Sequence, residues 1–166
     1  MSTPGNSAGN TPPPLDLREL FAQPWSGSAE LWRPWWLRWL PIPSSFRFRS
    51  EIVNLTDTGW DVRDTTTFPN GRIQVRTMHC SRIANGRLRL TADDMPGGAE
   101  VTPRHDGFDF SPYTIQTPIL GPLRVALRFT DSVQLQRDQT MVDTIKLSYL
   151  AVHVGTVTMR LQRANA

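Results

Sequence analysis

The sequence predicts an all-β domain: a single antiparallel up-and-down β-barrel of about nine or ten strands, preceded by a short helix and a disordered tail. Three observations lead there. Apolar and polar residues alternate with a period of two over much of the chain after residue 45. Turn residues interrupt that alternation at short intervals, as in Thr56-Asp57-Thr58-Gly59, Pro69-Asn70-Gly71, Asn85-Gly86 and Met95-Pro96-Gly97-Gly98. No segment is long enough to form a helix that would cover an open sheet, so the strands must close on themselves or pack as a sandwich. Short connections favour the barrel, because a Greek-key sandwich needs at least one long crossing connection.

Each element follows from local chemistry. Residues 1–14 are mostly Ser, Thr, Gly, Asn and Pro, with no charge and no periodic apolar positions, a composition that cannot compensate the entropy of ordering. They are expected to form a disordered tail before one barrel domain spanning 15–166. Leu15 to Phe21 has the pattern of two helical turns, with Asp16 and Glu19 toward its N-terminus and Pro24 closing it. A helix this short is not stable alone, so it should lie across one end of the barrel. Strands are expected near 25–33, 45–55, 59–68, 72–84, 87–92, 98–103, 107–116, 122–131, 143–150 and 154–163. Asn85-Gly86 fits a two-residue type I′ turn. Leu88 and Leu90 share one face while Arg87 and Arg89 share the other. Val125, Leu127 and Phe129 oppose Arg124, Ala126 and Arg128 in the same way, as do Val157, Met159 and Leu161 against Thr158, Arg160 and Gln162.

Composition narrows the partners. Lys and Arg total 18 against 15 acidic residues, a net charge of +3, but no run of four basic residues occurs, so a nucleic-acid footprint is not indicated. Only Lys146 is a lysine. Arginine stacks on aromatic rings and forms bidentate contacts with carboxylates. The single Cys80 excludes an internal disulfide and any multi-cysteine metal site. With no charged segment leading into an apolar run near Met1, the expected compartment is the cytoplasm.

Five of the six tryptophans fall between Trp25 and Trp39. The Trp25-Ser26-Gly27 start of the first strand, the up-and-down series and the last strand ending Arg160-Leu161-Gln162-Arg163 together resemble the calycin superfamily of lipocalins, fatty-acid-binding proteins and related small barrels. The resemblance implies a barrel around a small apolar ligand, closed at one end by Trp25 or Trp32 stacking with Arg160 or Arg163. Five indoles cannot all enter a barrel also filled by Val125, Leu127, Phe129, Ile145, Leu147, Val157 and Leu161. Trp35, Trp36 and Trp39 are therefore expected at an open end, as wall or lip of the cavity. A membrane-bound segment is the less favoured reading, since Pro34, Pro41 and Pro43 prevent a continuous amphipathic helix.

Other candidates are weaker. Tyr113 and Tyr149 can donate a hydrogen bond within the pocket. His79 or His153, if inward, would ligate a haem iron or act as a base, and His79 would bind ligand, whereas Cys80 must face the side opposite His79. Any of Arg47, Arg49, Arg76 or Arg82 pointing inward would favour a ligand with a carboxylate or enolate at one end. Asp93, Asp94, Glu100 and Asp106 with His105 read as turn residues rather than as a metal site, and Asp131, Asp138 and Asp143 as turn residues at strand ends. No Gly-x-Ser-x-Gly elbow, P-loop, dinucleotide fingerprint or His-Glu-x-x-His helix is present. The expected function is binding of a small, mostly apolar molecule, without metal or other cofactor. A barrel-type cyclase or isomerase acting on a flexible apolar intermediate is the alternative, and a haem-binding barrel the second.

Overall fold

The computed structural model describes residues 13–120 and 123–164. The expected tail lies outside the described residues as far as residue 12. A five-residue helix, α1 (Leu17–Phe21), precedes eleven strands: β1 (Trp25–Trp32), β2 (Ser45–Leu55), β3 (Gly59–Thr67), β4 (Ile73–Arg82), β5 (Leu88–Ala92), β6 (Met95–Pro103), β7 (Gly107–Phe110), β8 (Tyr113–Leu120), β9 (Leu123–Leu135), β10 (Met141–Tyr149) and β11 (Val152–Arg163). All pairings are antiparallel. From β1 to β7 each strand pairs with the next, β9 takes up β7, β10 joins β9 to β11, and β11 returns to β1.

Ten positions close the ring, because β7 and β8 occupy one position end to end along the long β9. Phe108 faces Val133 at one level and Tyr113 faces Phe129 at another. The single strand expected over 107–116 is thus broken at Ser111-Pro112, where proline has no N–H for the ladder. The Asn85-Gly86 connection also differs from expectation. Ala84–Gly86 form a 3-10 turn with Gly86 at φ +70°, and the backbone of Ile83 bonds to that of Arg87, so the loop has three residues with glycine in the left-handed position rather than two in a type I′ turn.

The two ends of the barrel differ. At the first, α1 lies across the opening with Leu17 and Leu20 buried. Asp16 caps it, its carboxylate accepting from the N–H of Arg18 at 2.9 Å. Trp25 is fully buried beneath it and donates from Nε1 to the Leu20 carbonyl at 2.9 Å. The Arg163 guanidinium lies 5.7 Å from the centre of the Trp25 ring. Phe21 meets Phe108 edge-on at 5.6 Å. Gly27 allows the walls to close here, since a Cβ at that position would stand 1.8 Å from the Arg160 carbonyl oxygen.

The second end carries no helix. It is ringed by the β1–β2 loop, by the β3–β4 and β10–β11 turns and by the paired ends of β8 and β9. The loop is pinned at its base by Leu31 N–H to the Ser44 carbonyl at 2.7 Å, and it contains a 3-10 turn at Trp35–Leu37. The β5–β6 hairpin does not reach this end. Its turn stops beside Arg76, so the residues of β4 before His79 have no ladder partner on that side among the described residues. A notch in the wall results between β4 and β8, closed below by Gln116 N–H bonding to the Asp94 carbonyl at 2.9 Å.

Candidate functional site

Strand parity decides what enters the barrel. On β3 the inward set is Trp60, Val62, Asp64 and Thr66, and on β4 it is Gln74, Arg76, Met78 and Cys80. These line a cavity of about 280 Å³ that runs from Trp25 and Met141 near α1 to Phe46, Gln74 and Ile115 toward the other end. Most of the wall is apolar or aromatic. Polar groups gather in two places, each with a carboxylate held away from water.

One group is Tyr113, Asp131 and Asp143. Tyr113 stacks on Phe129 at 5.3 Å between ring centres and donates its hydroxyl to Oδ2 of Asp131 at 2.9 Å, both residues buried. Asp143 sits on the adjacent strand, diagonal to Asp131, which faces Ile145 across the β9–β10 ladder. Oδ1 of each carboxyl is buried with no protein donor. Two bare carboxylates cannot share such a site, so one proton must lie between them. Burial, reinforced by the charge of Asp131, pushes Asp143 well above the usual carboxyl range. Burial also raises Asp131, to about 6, held down by its neighbour Asp143 and by the hydrogen bond from Tyr113. Of the two, Asp143 is held the more strongly in its acid form, and Asp131 is the first to become the carboxylate. The Tyr113 hydroxyl is itself pushed up by burial and by the charge of Asp131, so it remains a donor.

The other group is Ser50, Asp64 and Arg76, consecutive cross-strand partners on β2, β3 and β4. Burial raises Asp64 to about 6 despite the hydroxyl of Ser50 and the positive charge of Arg76. Arg76 reaches Oδ1 of Asp94 from Nε at 2.9 Å and from Nη2 at 2.8 Å, so it stands at the base of the notch with one side to solvent and the other to the cavity. Cys80 lines the same wall, and its thiol is pushed up to about 12, chiefly by burial. It is inert as a nucleophile at neutral pH.

Several expectations need correction. Asp131 and Asp143 are not turn residues: β9 runs on to Leu135 and β10 begins at Met141, which places both carboxyls on the inner face. Asp138 does sit in a turn, accepting from the N–H of Thr140 at 3.0 Å. His79 is on the outer wall, its Nδ1 2.8 Å from Asp61, because its neighbours Met78 and Cys80 take the inward positions. None of the three histidines lines the cavity, so no imidazole is placed to ligate a haem inside it. Tyr149 lies exposed at the end of β10, and neither it nor Trp35, Trp36 and Trp39 forms part of the cavity wall. Of the residues expected at the closure, Trp25 and Arg163 meet. Trp32 is at the opposite end and stacks on His153 at 5.7 Å, and Arg160 points outward. Arg47 and Arg49 also point outward, leaving Phe46 and Phe48 inside. Among the described residues no three His, Cys, Asp or Glu side chains gather as a metal site.

A family model described as a protein of unknown function, DUF3833, matches residues 45–163, from the first residue of β2 to the last of β11. The chain belongs to the DUF3833 family. The segment that matches DUF3833 contains Asp64, Arg76, Tyr113, Asp131 and Asp143, while α1, β1 and the tryptophan loop lie before it. No curated protein matches the chain. The barrel is compatible with the calycin-like architecture, and the DUF3833 match names no ligand or reaction.

Proposed function

We propose that the barrel binds a small, mostly apolar molecule that carries one polar group. The observation behind this reading is the cavity itself: about 280 Å³ enclosed by one barrel, apolar over most of its wall, with Arg76, Tyr113 and the acid pair converging from two sides. Ligand sites have this composition, with few polar groups fixing orientation and apolar contact supplying affinity. The volume favours a compact ligand over a long acyl chain. A fluorescent apolar probe such as N-phenylnaphthylamine should bind once per chain and be displaced by the native ligand extracted from freshly purified protein. Met159→Trp, which fills the cavity from β11, should abolish probe binding while the fold persists. Failure of the wild-type protein to bind the probe, or binding that ignores the filled cavity, would refute the proposal.

A second reading rests on the acid pair. A buried carboxyl that holds its proton more tightly than the carboxylate beside it, with a phenol at hand, is the equipment for moving a proton on a confined apolar substrate, as a cyclase or isomerase requires. Asp143 would supply the proton and Asp131 receive one, with Tyr113 steadying the developing charge. Turnover that disappears in Asp143→Asn while probe affinity is retained would distinguish this reading from simple carriage.

A further inference from the structure

The two ends of the barrel expose opposite chemistry. At the α1 end three of the four connections are polar, Thr56-Asp57-Thr58, Arg104-His105-Asp106 and Gln136-Arg137-Asp138-Gln139; the fourth begins Ile83-Ala84, and Val53 and Leu55 are exposed apolar neighbours without an aromatic among them. At the other end the tips are apolar. Trp35 is 80% exposed and Trp39 77% exposed on the β1–β2 loop, Leu150 is 81% exposed on the β10–β11 turn, and Ile73 and Leu123, the first residues of β4 and β9, are exposed as well. Leu150 and Ala151 adopt φ of +46° and +66°, a conformation that such turns normally assign to Asn or Gly. A strained backbone that presents a leucine to solvent points to a role for the exposed side chain rather than for the turn.

Charge follows the same division. Residues 31–50, 65–78, 114–120, 123–130 and 144–157, which form the open half of the barrel, contain no Asp or Glu. They do contain Arg33, Arg38, Arg72, Arg124, Arg128 and Lys146, none of which pairs with a carboxylate among the described residues. Instead Arg33 donates to the Leu40 carbonyl at 3.0 Å, bracing the tryptophan loop, and Arg72 lies over the Phe68 ring at 4.2 Å. The nearest acids are set back from the rim: Glu30 is two residues below Trp32 on β1, and Asp93 and Asp94 are in the short hairpin, where Arg76 takes Asp94. The outer strand faces bear ion pairs such as Arg63–Glu51 and Arg87–Glu100, so the wall does not suit a bilayer-spanning barrel.

We propose that the open end of the barrel docks on an anionic phospholipid surface, the rim tryptophans and Leu150 entering the headgroup region while the surrounding arginines face lipid phosphates. Indole favours that zone, and arginine next to it gains from the negative surface potential. The prolines that prevent an amphipathic helix are no obstacle, because a rigid loop with a 3-10 turn presents the rings just as well. Docking would set the end of the cavity away from α1 against the bilayer, which deepens the binding function proposed above without depending on it.

The test uses the full chain with vesicles of phosphatidylcholine alone and with about 30 mol % phosphatidylglycerol. Flotation with the anionic vesicles, weakened by salt, is expected, together with quenching of tryptophan fluorescence by brominated acyl chains. Trp35→Ser/Trp39→Ser should lower partitioning at least about tenfold, and Arg38→Glu/Arg124→Glu should abolish the preference for anionic lipid. N-phenylnaphthylamine binding in vesicle-free buffer should be unchanged in both variants, which separates failure of docking from failure of the cavity reading. Absence of flotation overturns the proposal. So does equal, salt-insensitive binding to both vesicles, or a rim-dependent dimer in sedimentation with no lipid binding.

Discussion

Asp143 offers the sharpest test of the cavity's chemistry. In the folded barrel it keeps its proton at a pH where the unfolded chain, with an ordinary aspartate near 3.8, has released it. Folding then takes up a proton, so stability is greatest below the unfolded value and falls as pH rises, by about 1.4 kcal/mol per unit while Asp143 stays protonated. Asp131 and Asp64 add to this fall only up to about 6, where they ionise in the native state as well. Above about pH 6 the remaining fall therefore reports mainly on Asp143, below the range in which Cys80 begins to titrate in the unfolded chain. Over that stretch the wild-type protein should lose stability as pH rises, read as a declining urea midpoint by tryptophan fluorescence. In Asp143→Asn the amide can still donate toward Asp131 but carries no titrating proton, so its profile should be flat over the same range. A flat wild-type profile, or the same slope in the variant, would refute the shared proton.

Three further outcomes are expected. Trp25→Ala removes a fully buried indole, its bond to Leu20 and its contact with Arg163, and should cost about 3–5 kcal/mol, seen as a large drop in Tm. Tyr113→Phe leaves Oδ2 of Asp131 without its donor and should destabilise the fold by about 1–3 kcal/mol at neutral pH, the loss shrinking in mildly acidic buffer as Asp131 takes up its own proton. Cys80 should resist a thiol reagent in the native protein at neutral pH and react once per chain in urea; rapid native labelling would contradict its burial.

The fold was legible because alternation carries most of its information. Leu88 and Leu90, or Val157, Met159 and Leu161, declare the inner face directly, and all five are buried. Asp16 was placed at the N-terminal end of the helix from its charge, where it proves to be the cap, and the Trp25–Arg163 contact is one of the four pairings that the calycin resemblance left open. The polar half of the cavity was not, although parity held the signal. Asp131 falls in step with Phe129 and Val133, Asp143 with Met141 and Ile145, Asp64 with Trp60 and Val62, and Arg76 with Met78 and Cys80. Ending the strand expected over 122–131 at its last residue and starting the next at 143 moved two carboxyls into imagined turns, where aspartate is common. A charged residue on the apolar side of a strand was the observation to follow. The same parity, read from Cys80, turns His79 outward. The fate of Trp35 and Trp39 depended instead on the direction of an irregular loop, which no periodicity encodes.

The short β5–β6 hairpin has a consequence for solubility. By stopping beside Arg76 it leaves β4 and β8 facing each other across the notch with edges unclosed, and such edges invite a strand from another molecule. On β8 the N–H of Gln116 points into this gap, toward Asp94, so the next residue of the same orientation is Pro118. Proline has no N–H there, and an incoming strand would find its carbonyl unmet where register must be set. One ring nitrogen thus guards the barrel against adding to its own sheet, and Pro118→Ala, harmless to the interior, should show itself as aggregation on concentration.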